Sequence, residues 1–170
     1  MRTIFFSFSF EDVFKANQVR KSGSFSGSRR SGFKDRAEYT KVSSGGSAAV
    51  KRWINNQMRG CSVTCVLIGR NTYQSKWVNY EIQQSIENKM GLLGIFIHKL
   101  KDPTNTPNTG LFAPKNPLDN HQLAVRGLLG TTTAKASEVY ETYTWETGLL
   151  GAIGNELGDW VEAAARIAGR

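Results

Sequence analysis

The chain has 170 residues, 39% of them hydrophobic and 21% charged, with a net charge of +8. That is the size and composition of one ordinary globular domain, and no internal repeat is present. No apolar run reaches the roughly 18 residues of a membrane-spanning helix, and the two cysteines are too few for a disulfide framework.

The first residues, "TIFFSFS" at 3–9, alternate and are rich in aromatics, which predicts a strand rather than a signal peptide. "EDVFKANQVRKSG" follows with Val13, Ala16 and Val19 or Arg20 at helical spacing and a stop at Gly23. "SGSFSGSRRSG" at 22–32 reads as a Gly/Ser loop, "FKDRAEY" as a weak second strand or extended loop, and "VSSGGS" as another break. "SAAVKRWINNQMRG" places Ala49, Val50, Trp53, Ile54 and Met58 on one helical face, with Ser47 as the cap and Gly60 as the stop.

"SVTCVLIG" at 62–69 is a continuous β-branched run, expected of a strand covered on both faces in a parallel sheet. "WVNYEIQQSIENKM" predicts a helix with Val78, Ile82 and Ile86 toward the core, and "LLGIFIH" at 92–98 a further buried strand. Residues 99–133 hold all four prolines and read as one long connection. "SEVYETYTW" reads as a late strand, and "ETGLLGAIGNELGDWVEAAARIAG" as an amphipathic helix. Gly148, Gly151, Gly154 and Gly158 there sit at helical spacing and suggest close approach of another helix, within the domain or in a homo-oligomer. Strands alternating with helices imply an α/β fold with a parallel sheet covered on both faces.

Charge is unevenly spread. Between Lys15 and Arg52 ten Lys or Arg face two acids, Asp35 and Glu38. An anionic partner would suit this segment, and so would a solvated basic face; no nucleic-acid motif is present. Cys61 and Cys65, four residues apart, would stand roughly 13 Å apart on a strand, too far for a disulfide. They read as buried thiols of a cytoplasmic protein, and no metal cluster is expected around them. His98 and His121 fit no nucleophile or ligand pattern and read as structural.

Glu81 is harder to place. It lies four residues after Trp77 on the same face of the helix that follows the 62–69 strand. Doubly wound sheets bind ligands at the carboxyl ends of their strands, so Glu81 could face such a site. A charge favoured by the helix dipole explains it equally well.

Three segments in order, "TIFFSFSFEDVFKANQVRKSG", "GSAAVKRWINNQMRGCSVTCVLIG" and "SKWVNYEIQQSIENKMGLLGIFIHKLKD", resemble the TIR-like family of bacterial Thoeris anti-phage proteins of ThsB type. The likeness covers roughly residues 3–119 of a single domain, with residues 120–170 adding a strand and the last helix. It implies a flavodoxin-like fold with a five-stranded parallel sheet. It implies NAD as a substrate, with no other cofactor, cleaved at the nicotinamide–ribose bond. The ADP-ribose product would be cyclised into a signal for an effector protein. The family's catalytic glutamate falls on Glu81. Phe8, Ser9, Ser75 and Trp77 are the cleft candidates, and Arg20, with Lys21, Arg29 and Arg30, the pyrophosphate candidates; a packed core Trp and exposed loop arginines stay open as alternatives. A non-enzymatic TIR-like nucleotide-sensing or scaffold module, or a nucleic-acid binder using the basic segment, are the competing functions.

Overall fold

A computed structural model describes residues 2–22, 29–31, 36–103, 112–128, 130–145 and 153–170. In chain order the elements are β1 (Thr3–Phe8), α1 (Val13–Lys21), β2 (Arg29–Ser31), α2 (Arg36–Ser43), α3 (Gly46–Met58), β3 (Val63–Ile68) and α4 (Lys76–Glu87). Then come β4 (Gly91–Phe96), β5 (Gln122–Gly127), β6 (Gly130–Lys135), α5 (Ala136–Val139), β7 (Thr142–Thr144) and α6 (Ile153–Ile167). Five strands form one all-parallel sheet in the order β2-β1-β3-β4-β7. This is the flavodoxin-like order, in which the chain reverses its winding direction between β1 and β3.

The apolar runs explain the layers. All six residues of β3 are buried, as a central strand covered by helices on both sides requires. Alternation along β1 splits its side chains between two faces. Ile4 and Phe6 join Ala16 and Val19 of α1 and Leu157 and Val161 of α6. Phe5 turns the other way and packs with Val50, Ile54 and Met58 of α3. Gly91 lets α6 lie directly on the sheet, because a Cβ there would overlap the Ala164 carbonyl. No helix among the described residues is long and apolar enough to cross a membrane.

Five local expectations need correction. Residues 36–39 of "FKDRAEY" belong to the helix α2 rather than to a strand or extended loop, and the second strand is at 29–31; residues 33–35 lie outside the described residues. Tyr39 and Val42, three apart, give that helix an inner face, with Tyr39 stacked on Phe10 and Val42 packed against the α3 cluster. The "VSSGGS" break is a tight turn, and Gly45 rather than Ser47 precedes α3, without a side-chain cap. Gly46 sits at φ +79, a conformation glycine adopts without penalty. The connection 99–133 is not structureless: it contains β5 and residues 130–133 of β6, which pair antiparallel in a hairpin from Gln122↔Lys135 to Gly127↔Gly130. Most of its side chains are exposed, so no apolar alternation marked it.

"SEVYETYTW" divides into α5 and the short β7. The Glu138 carboxylate accepts from the Lys135 backbone N–H at 2.9 Å and starts a helical turn there. In the last helix, Gly148 and Gly151 lie outside the described residues, as do the surroundings of Gly154. Gly158 has open space around it. Among the described residues, the close approach of α6 is to Gly91 of β4.

Candidate active site

β1 and β3 are neighbours and end at the same edge of the sheet. Beyond them the chain makes two short 3-10 turns, Phe10–Asp12 and Thr72–Gln74. Gly69, just past β3, is pressed against the buried Asp12 carboxyl, which a Cβ would overlap. Burial pushes Asp12 up to about 6, opposed by Lys15. The Ser75 hydroxyl then caps α4, accepting from the Val78 N–H at 3.4 Å.

The register Ser7↔Val66 and Phe5↔Thr64 sends Ser7 and Thr64 to the same face, under α4. Both are buried polar groups and need partners there. α4 supplies them from Glu81 and Ser85, one turn apart. The Ser7 hydroxyl donates to Glu81 Oε2 at 2.5 Å. Ser85 donates to the Glu81 carbonyl at 2.7 Å, which leaves Thr64 to donate to Ser85 Oγ, also at 2.7 Å.

Glu81 is only 4% exposed. A charge placed for the helix dipole would lie in solvent, so the surface-charge reading fails. Burial raises its pKa to about 8, with the Ser7 hydroxyl pulling the other way. Burial thus favours the protonated carboxyl, while the Ser7 hydrogen bond favours the ionised one.

Glu81 lies in a cleft of about 600 Å³ at the carboxyl edge of the sheet. Phe6, Phe8, Phe10, Tyr39 and Trp77 supply its apolar surface. Phe10 and Tyr39 are stacked at 4.6 Å and 16°, which joins α2 to the turn after β1. Ser9, Gln74 and Ser75 add polar groups, and the Asn71 amide donates to Glu11 Oε2 at 2.7 Å across the cleft edge. The described lining residues include two carboxyl side chains, Glu11 and Glu81, and no Lys or Arg.

Of the residues singled out in the sequence, Phe8, Ser9, Ser75 and Trp77 come together with Glu81 in this cleft. Arg20 does not line it. Its guanidinium is buried 5.6 Å above the Phe6 ring, because α1 packs on the opposite face of the sheet from α4. Lys21, at the end of α1, does not line it either. The side chains of Arg29 and Arg30 lie outside the described residues.

Ser7, Phe10, Glu11, Tyr39, Asn71 and Gln74 were missed. Ser7 left a trace: a hydroxyl in a buried strand, two residues from Phe5 and so on its face. Tyr39 left none, since its partner Phe10 is 29 positions away in sequence.

Both histidines lie away from the cleft. His121 Nε2 donates to Asn79 Oδ1 at 3.0 Å, and Asn120 donates to the same oxygen at 2.9 Å. Asn79 in turn holds the Tyr73 and Ser75 carbonyls at 3.0 and 2.9 Å, so this network fixes the turn before α4. Burial lowers the pKa of His121. His98 packs edge-on to Phe96, and burial, then Lys99 and Lys15, lower its pKa. Cys61 and Cys65 are free, buried thiols, with burial pushing Cys61 up to about 11 and Cys65 higher still. Among the described residues no group of three His, Cys, Asp or Glu side chains could hold a metal ion.

The family model described as "Thoeris protein ThsB, TIR-like domain" matches residues 5–102, the part of the chain that builds β1 to β4 and the cleft. A Bacillus cereus (strain MSX-D12) protein named "Putative cyclic ADP-D-ribose synthase ThsB1" is 38% identical over 104 residues. That match takes in 59% of this chain and 54% of the relative, so the chain spans about half the length of the relative it matches.

Proposed function

Because the chain belongs to the Thoeris ThsB TIR-like domain family, we propose that it is an enzyme of anti-phage defence that cleaves NAD at the nicotinamide–ribose bond. The observation that carries this reading is the buried Glu81 carboxyl in an aromatic-walled cleft at the carboxyl edge of a flavodoxin-like sheet. The likeness to a relative named as a cyclic ADP-D-ribose synthase supports the substrate class and a cyclised product.

The chemistry asks for few groups. When the C1′–N bond of the nicotinamide riboside breaks, its electron pair goes to the ring nitrogen. The pyridinium leaves as neutral nicotinamide and needs no general acid. Positive charge develops on the ribose, and an ionised Glu81 beside it stabilises that charge and accepts its hydroxyls. Binding of the cationic nicotinamide ring favours ionisation of Glu81, which burial alone disfavours. Ser7 holds the carboxylate by donating to Oε2. Water then attacks C1′ and gives up a proton, or another nucleophilic atom of the same nucleotide attacks and closes a ring. Phe8, Phe10 and Trp77 exclude bulk water from the reacting carbon. NAD is the substrate and no further cofactor takes part. The product signals to an effector protein in the cytoplasm.

Incubating the purified chain with NAD and identifying products by mass tests this. Nicotinamide together with ADP-ribose or its cyclised isomer is the expected result. Intact NAD, in samples that bind and shift RNA in a salt-dependent way, would favour the nucleic-acid reading instead.

A further inference from the structure

The cleft holds a second carboxylate that the cleavage chemistry does not use. Glu11 follows Phe10 in the 3-10 turn after β1 and is exposed at the cleft edge, whereas Glu81 is buried at its base. Asn71, in the corresponding turn after β3, donates to Glu11 Oε2 at 2.7 Å. This bond spans the two strands between which the winding direction reverses and fixes the Glu11 side chain over the opening. It uses one lone pair of Oε2 and leaves Oε1 free to accept from a ligand. Among the described residues no Lys or Arg lines the cleft to balance either carboxylate.

We infer that Glu11, braced by Asn71, is a specificity-determining residue that accepts the hydroxyls of the outer, adenosine ribose and so selects NAD over NADP. This rests on the reading that the cleft takes a nicotinamide dinucleotide. With the reacting ribose at Glu81 in the base, the outer ribose of the same molecule lies toward the exposed edge. A carboxylate accepts the two O–H groups of a vicinal diol in charge-assisted bonds. A 2′-phosphate removes one of those donors and brings like charge against Glu11, where no Lys or Arg lines the cleft among the described residues. A site meant for NADP would place an arginine there; this one places a carboxylate and an amide that holds it still.

The test is equilibrium binding of NAD and NADP by calorimetry, in Glu81→Gln so that neither nucleotide is consumed. NAD is expected to bind about tenfold more tightly than NADP or better, the ratio that about 1.4 kcal/mol gives. Adding Glu11→Gln to that variant should narrow the ratio to about threefold or less, mainly because NADP gains. Asn71→Ala, in the same background, should narrow it in the same direction by freeing Glu11. Equal binding of the two nucleotides, an unchanged ratio in both double variants, or binding of neither nucleotide would overturn the inference. Selective binding without nicotinamide release by the wild-type chain would overturn the cleavage reading and leave this one standing. Release from NAD and NADP at equal kcat/KM would do the reverse.

Discussion

Replacing Glu81 by Gln should make the fold more resistant to high pH, even as it removes the reacting charge. The wild-type carboxyl titrates near 4.5 when unfolded and at about 8 when folded, because burial disfavours its ionised form. A folded pKa raised in this way means that the native state holds its proton more tightly than the unfolded chain. The stability contributed by that proton is complete below about pH 4.5. It falls by about 1.4 kcal/mol per pH unit between there and pH 8, and is gone above. The whole interval corresponds to about 5 kcal/mol, an upper limit set by how far the cleft rehydrates on ionisation. Glutamine has no such dependence, keeps the side-chain volume, and still accepts from the Ser7 hydroxyl. Asp12, also raised by burial, has the same sign but is common to both proteins and cancels in the difference. Urea unfolding of both proteins at pH 5, 7 and 9 measures the difference. Glu81→Gln should gain on wild type by a few kcal/mol from pH 5 to pH 9, with equal m values. A difference independent of pH would mean that Glu81 ionises freely in the fold and that its burial is not what sets its chemistry.

Four further outcomes follow from the same geometry. The kcat/KM for NAD should rise with pH toward a plateau above about 8, since the ionised form of Glu81 is the active one in the free enzyme; a profile flat from pH 6 to 9 would contradict this. Ser7→Ala removes the hydrogen bond that favours the carboxylate, so the inflection in that profile should move to higher pH; no movement would deny Ser7 its role. Tyr39→Ala opens the stacked wall and should raise KM for NAD about fivefold, as losing about 1 kcal/mol of aromatic contact does, with the circular dichroism spectrum unchanged. Gly91→Ala forces the sheet and α6 apart and should cost about 1–3 kcal/mol in denaturant unfolding, whereas Gly158→Ala, in open space within α6, should gain about 0.5–1 kcal/mol.

How much of this was legible in sequence follows from where each signal resides. β3 and β4 were readable because a strand buried on both faces needs continuous hydrophobicity, β1 because its aromatics alternate with serine, and the helices between them because one apolar stripe suffices. Elements whose order comes from tertiary contact were not. Among the described side chains of α2, Tyr39 and Val42 form the inner face, and the partner Phe10 lies in another segment. The β5–β6 hairpin pairs its backbone with few buried side chains, so no alternation announced it. In the cleft, Trp77 and Glu81 were visible as a helical pair. Whether Glu81 was buried depended on Ser7, 74 residues away, and helical spacing alone left the question open. Arg20 was singled out because charge suits a phosphate-bearing substrate, and its place on α1 puts it over Phe6.

The most direct test of the central claim compares wild type, Glu81→Gln and Glu87→Gln in phage-infected cells, where any trigger the chain needs is present. Glu87 lies on the same helix, takes hydrogen bonds from Gln83 and Gln84 in solvent, and is outside the cleft. NAD, nicotinamide and ADP-ribose products are followed by mass spectrometry. Wild type and Glu87→Gln should convert NAD at similar rates, and Glu81→Gln should be slower by about two orders of magnitude or more, the loss of one preorganised charge at the reacting ribose. Undiminished conversion by Glu81→Gln, at equal protein levels, would contradict the claim that this carboxyl carries the reaction.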